Sequence, residues 1–195
     1  MEAYSQRYDA ALVLAACAHR SQTRKGGTVP YLVHPIHVSV ILLRHGFPED
    51  VAIAGLLHDV VEDQDVPLAR IEAEFGPPVA DMVAALTERK KEAGQPRPWD
   101  VRKQEALEKL RQASLDAVAV KAADALHSTR SIAADLYRQG PSLWSSFSRG
   151  PSESLWYYRS VADIVSQRLG PHPLAVELTS AIQALEGTIA ATGTP

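Results

Sequence analysis

Apolar residues recur at helical spacing along most of this chain, in segments separated by short breaks marked with proline and glycine. Tyr8, Ala11, Leu12, Ala15 and His19 share one face of a helix predicted from about Tyr4 to Arg20. A second helix opens at His34-Pro35, continues through Val38, Ile41, Leu42 and His45, and stops at Gly46; proline suits the first turn and glycine the position past the end. Phe47-Pro48-Glu49-Asp50 restarts the chain into a third helix ending near Gln64. There Ile53, Leu56, Leu57, Val60 and Val61 form a buried stripe at i, i+3, i+4, i+7, i+8.

Shorter helices follow, from Pro67 to Gly76 and from Pro77-Pro78 through Leu86. Thr87 to Trp99 is charged and contains proline and glycine, and reads as a mobile loop, either a connector or a lid. Asp100 is the expected N-cap of a helix to about Gln112, and a longer helix runs from Asp116 to Gln139, ending in Gly140-Pro141. Pro141 to Ser154 reads as a loop, and two last helices span about Glu153 to Leu169 and Pro173 to Ala190. There is no strand-like alternation of convincing length and no internal repeat. The expected fold class is all-α.

The third helix carries the chemistry. In the run Leu56-Leu57-His58-Asp59-Val60-Val61-Glu62-Asp63, His58 is one turn from Glu62 and Asp59 one turn from Asp63. A solvated helix face would normally mix charge signs, and these positions include no Lys or Arg. His beside Asp also offers one nitrogen and one oxygen ligand, which suits a divalent metal. Further ligands must come from elsewhere. Asp124 lies among Val118, Val120, Ala122, Ala123 and Leu126, where a carboxylate is costly unless metal-bound or paired, here with Lys121 or Arg130. His34 and His37 both stand near the start of the second helix, and spacing does not separate them. Arg24-Lys25, before Gly26-Gly27, is either plain surface or a clamp for phosphate oxygens.

Composition narrows the setting. At 195 residues one domain is expected, spanning 1–195, and the apolar content of 46% with a net charge of −3 suggests neither a nucleic-acid nor a membrane-binding surface. The single Cys17 fits a reducing compartment, Met1-Glu2-Ala3-Tyr4 does not open a signal peptide, and no apolar run is long enough to span a membrane. The expected location is cytoplasmic, and oligomeric state is not legible.

The ordered set His34 … His58-Asp59 … Asp124 resembles the signature of the HD metal-dependent phosphohydrolases. Ala18-His19-Arg20-Ser21-Gln22-Thr23-Arg24-Lys25, Pro30-Tyr31-Leu32-Val33-His34-Pro35, Ala54 through Asp63, Phe75-Gly76 and Val120 through Leu126 are similar to the hydrolase domain of the RelA/SpoT proteins. The likeness covers about residues 8–137, and the chain length resembles that of the free-standing small alarmone hydrolases. The resemblance implies a helical HD-domain bundle with a metal site between helices, helices 153–190 packing on it, and manganese-dependent removal of the 3′-pyrophosphate from (p)ppGpp, a small nucleotide. It implies His34, His58, Asp59 and Asp124 as metal ligands, choosing His34 over His37. Glu62 and Asp63 match the acidic pair that activates the attacking water, and Arg24 and Lys25 the basic pair near substrate phosphates. Ser128 stands where the family carries an Asn that positions the nucleoside, and offers fewer hydrogen-bonding groups. Two alternatives follow: an HD phosphohydrolase of another nucleotide or phosphoester, and a metal-binding regulatory module without turnover.

Overall fold

The first helix, α1 (Gln6–Ala18), begins at Ser5, whose hydroxyl accepts the Tyr8 N–H at 3.1 Å. The computed structural model describes residues 5–193; the expected helix start at Tyr4, with the rest of Met1 to Tyr4, lies outside the described residues. In order there follow α2 (Val33–Arg44), α3 (Glu49–Leu57), α4 (Val60–Gln64), α5 (Leu68–Phe75) and α6 (Pro77–Leu86). After a two-residue antiparallel ladder, β1 (Lys91–Glu92) with β2 (Gln95–Pro96), come α7 (Trp99–Gln112), α8 (Leu115–Gln139), α9 (Pro151–Leu169) and α10 (Pro173–Ala191). Among the described residues the fold is all-α apart from that ladder and an isolated bridge between Thr23 and Pro30. No described helix is long and apolar enough to cross a membrane.

The core is arranged around α3. Val51 through Leu57 are buried on every side, at 0% exposure for Ile53, Ala54, Leu56 and Leu57. The α3 part of the stripe expected from spacing is therefore a wholly buried rod, with α1, α2, α6 and α8 packed around it, while Val61, on α4, is partly exposed. Gly55 permits the approach of α2: a Cβ built there would lie 2.7 Å from Leu42 Cδ1, 3.3 Å from Val38 Cγ1 and 3.4 Å from the Ser39 Cα. Between α5 and α6, Gly76 takes φ +86°, a conformation that frees the chain to turn and start again at Pro77. On the far side, α10 lies along α8 and α9. Arg168 of α9 donates to the carbonyl of Ala113 at 2.7 Å, placing a cation at the C-terminal end of α7.

Three expectations are corrected. The third helix does not run unbroken to Gln64; it stops at Leu57 and resumes at Val60. Asp100 is not the cap of α7: Pro98 takes that position, Trp99 starts the helix against Trp156 and Tyr157, and Asp100 stands in the first turn. Within Pro141 to Ser154, Gly140–Ser146 forms a 3₁₀ turn that buries Leu143 and Trp144 against Ile132, Leu136, Leu185 and Ile189, and α9 begins at Pro151. Burial of those two side chains compensates for the poor helical propensity of this serine-rich stretch.

Because α2 and α3 touch through Gly55, Gly55→Val is expected to cost about 1–3 kcal/mol of stability. Urea unfolding of the two proteins measures the difference.

Candidate metal centre

The interruption between α3 and α4 builds the site. Neighbouring side chains on an unbroken helix diverge by about 100°. Asp59 leaves helical geometry at φ −102°, ψ −7°, and its Oδ2 thereby comes within 3.0 Å of His58 Nε2. Asp65, in the left-handed region at φ 53°, then ends the short α4. His34, in the first turn of α2, brings its Nε2 to 3.8 Å from the same Asp59 oxygen, with its ring centroid 5.2 Å from that of His58. One ligand atom from each of His34, His58 and Asp59 lies within 4.8 Å of the others, a group able to hold a metal ion. His37 does not join it; it is exposed on the outer side of α2.

The donors suit a divalent cation. His58 Nδ1 donates to the Gly55 carbonyl at 2.8 Å, which directs Nε2 into the cluster. That Nε2 is buried, 3.0 Å from Asp59 Oδ2, and makes no hydrogen bond. Asp124, on α8, divides its carboxylate. Oδ1 lies 3.2 Å from His34 Nε2, and Oδ2 accepts from Lys121 Nζ at 2.7 Å. Asp124 is thus beside the cluster while held by the basic neighbour that spacing offered as the alternative; Arg130 instead pairs with Glu177. Tyr31 donates its hydroxyl to Asp59.

Electrostatics explain this arrangement. Burial pushes the carboxyls of Asp59 and Asp124 up, but His58 and His34 hold Asp59, and Lys121 and the histidines hold Asp124, below the usual carboxylate range. Burial pulls His58 down, yet Asp59, then Asp124 and the Gly55 carbonyl, lift it to about 9. His34 goes the other way, lowered by burial more than Asp124 and Asp59 raise it. Lys121 is raised well above its ordinary value, since Asp124 outweighs desolvation. The cluster without a cation therefore balances its carboxylates with an imidazolium and an ammonium.

The second acidic pair lies on α4. Glu62 accepts the Glu88 N–H at 2.9 Å and lies 3.2 Å from Lys90 Nζ. Burial raises its pKa, against the pull of the Glu88 N–H and of Lys90. Asp63 accepts from Gln22 at 2.9 Å and from Lys90. The 87–99 segment that makes these contacts is anchored by the Glu88 carboxylate, paired with Arg102 and Lys103 of α7. The segment read as a mobile loop is thus a hairpin tied to the acidic pair.

These groups open into a cleft of about 580 Å³ lined by Arg24, Lys25, Lys90, Ser128, Phe147 and Tyr158, among others. Arg24 lies over the Tyr31 ring at 5.6 Å, and Lys25 over Phe147 at 5.1 Å. Burial, with Lys103 and Arg24 nearby, lowers the pKa of Lys25. Ser128 Oγ donates to Asp124 Oδ1 at 3.3 Å. Residue spacing singled out neither Tyr31, Gln22, Lys90 nor His127. For Tyr31 and Gln22 the only signal was their place in the stretches that carry the resemblance.

A buried imidazole–carboxylate cluster at a helix break, facing a basic cleft, is the setting of an HD domain. Residues 11–149 match the family model described as HD domain, and the chain belongs to that family. Among its relatives is guanosine-3′,5′-bis(diphosphate) 3′-pyrophosphohydrolase MESH1 of Mus musculus, 39% identical over 135 residues, covering 67% of this chain and 70% of that protein. Among solved structures, one titled as a metazoan ortholog of SpoT that hydrolyses ppGpp superposes with a TM-score of 0.75 at 27% identity, covering 94% of this chain and 97% of that one. The Listeria monocytogenes protein lmo0812 superposes with a TM-score of 0.68 at 35% identity, over 77% of this chain and 96% of its own.

Because His58 holds its second proton up to about pH 9, a divalent cation entering at pH 7 is expected to displace about one proton. Titrating Mn²⁺ into metal-free protein in two buffers of different ionisation heat measures that release. Apparent affinity should rise with pH, as the competing proton is lost, and level off above about 9.

Proposed function

We propose that this chain is a metal-dependent hydrolase that removes the 3′-pyrophosphate of (p)ppGpp, with manganese as the cation. The observation that carries this reading is the convergence of His34, His58 and Asp59 beside a separate acidic pair, in a chain related to a guanosine-bis(diphosphate) pyrophosphohydrolase. His34, His58, Asp59 and Asp124 would hold the cation. Bound there, it supplies a Lewis acid that lowers the pKa of water and neutralises charge at phosphorus.

The chain's own residues supply the rest. Glu62, outside the ligand cluster and raised in pKa by burial as a general base needs, takes the proton of the attacking water on a carboxylate oxygen. Asp63 holds Lys90 and Gln22 in place beside it. Arg24 and Lys25 bind phosphate oxygens on the cleft wall and stabilise the charge spread over them as the bond to the leaving group breaks. A lowered Lys25 pKa matches a cation whose anionic partner is the substrate. We propose further that the whole of 1–195 acts as one catalytic unit, since α9 and α10 pack on the helix that carries Asp124.

Ser128 favours a second reading, hydrolysis of another nucleotide or phosphoester. Its short hydroxyl donates to Asp124 and offers fewer hydrogen-bonding groups than an amide would. A product assay with Mn²⁺ over ppGpp, pppGpp, GTP, dNTPs, NADPH and nucleoside monophosphates separates the readings. Pyrophosphate released from ppGpp supports the first, and orthophosphate from another member the second. Metal binding without turnover on any member would mean a regulatory module. On the best substrate, Glu62→Gln is expected to lower kcat at least about 100-fold. Its manganese content, by elemental analysis, should be that of the wild type; near-full turnover in the variant would remove Glu62 from the mechanism.

A further inference from the structure

We infer that His127 is a positioning residue for His34, and that a row of three imidazoles, His34, His127 and His37, holds the metal-facing nitrogen of His34 in place. This rests on the metal-centre reading above.

The geometry is specific. His34 is buried at 2% exposure and its Nε2 faces the cluster, 3.2 Å from Asp124 Oδ1 and 3.8 Å from Asp59 Oδ2. Its other nitrogen, Nδ1, lies 2.8 Å from His127 Nδ1, and the two ring centroids are 4.9 Å apart. On the far side, His127 Nε2 is 2.7 Å from Nδ1 of the exposed His37. Asp124 and His127 stand three residues apart on α8, so one turn of that helix meets both nitrogens of the His34 ring.

A contact between two imidazole nitrogens needs one proton between them, and the metal decides whose it is. A cation on His34 takes the Nε2 lone pair, so the neutral ring carries its proton on Nδ1. That N–H donates to His127 Nδ1, which must then be bare. The proton of His127 is consequently on Nε2, where it donates to His37 Nδ1. All three rings are oriented by the one cation, and the cation gains a ligand already locked in the required tautomer.

His58 has the same need and meets it differently, through the Gly55 carbonyl at 2.8 Å. A carbonyl has no second tautomer and cannot be removed by changing a side chain. His34 instead relies on a side chain that can be replaced. The two rings therefore differ in how far they depend on a neighbour, and His127 is the testable one.

The test titrates Mn²⁺ alone into metal-free wild type, His127→Leu and His127→Asn, following heat of binding and the melting temperature of each metal-free protein. His127→Leu is expected to weaken manganese binding about 10- to 100-fold. His127→Asn, whose side-chain oxygen can accept the His34 N–H, should remain within about threefold of wild type. Wild-type affinity in the Leu variant overturns the inference and leaves the metal centre standing. So does an Asn variant as weak as Leu. A wild-type protein that binds no manganese overturns the metal centre itself, and the inference with it. Should His127→Leu fail to fold, ¹⁵N spectra of the histidines in Zn²⁺-loaded wild type decide the matter. Protons on His34 Nδ1 and His127 Nε2 support the inference, and a proton on His127 Nδ1 overturns it.

Discussion

A buried helix that must end in charge is the constraint from which the rest of this structure follows. Residues 51–57 of α3 are enclosed by four other helices, so the rod itself can carry no ionisable group. His58 caps the helix before the chain turns away at Asp59, and the Gly55 carbonyl, in the last turn, takes the imidazole N–H. The same contact caps the helix and aims His58. Gly55, by lacking a side chain, also lets α2 close in, and α2 is the element that delivers His34. Packing and chemistry thus meet within four residues.

Around that point the carboxylates are never left alone. Tyr31 serves Asp59, Lys121 serves Asp124, Lys90 serves Glu62 and Asp63, and Gln22 also reaches Asp63. Gln22 and Tyr31 come from the α1–α2 connection, Lys90 from the hairpin and Lys121 from α8. A buried carboxylate that loses its partner costs several kcal/mol, so these contacts keep the acidic groups together without a cation. They also define what a cation would have to displace: the second proton of His58, and the hold of Lys121 on Asp124.

Much of this was legible in the residues themselves. Proline at helix starts, glycine at their ends and apolar periodicity placed the helices to within a few positions, because those signals act locally. The His34, His58-Asp59 and Asp124 set was visible as an ordered pattern, and the structure brings three of its members into one cluster with Asp124 at its edge. The break after Leu57 was not visible, since Val60 and Val61 continue the apolar rhythm across it. The hairpin was hidden for a related reason: its turn, Ala93-Gly94, has φ 47° and 79°, but alanine replaces the Asn or Asp that announces such a turn. Spacing gave His127 and Lys90 no signal, because both act on residues far away in sequence.

The cleft has two origins. Its acidic and imidazole floor lies within residues 11–149, the part matched as an HD domain, whereas Tyr157 and Tyr158 come from α9 beyond it. The Tyr157 ring lies 5.5 Å from Lys121 Nζ and 4.4 Å from Lys103 Nζ. Lys121 in turn holds Asp124. An aromatic exchange on α9 would therefore reach the ammonium that pairs with Asp124, a route to retuning the site that leaves every residue of the floor untouched.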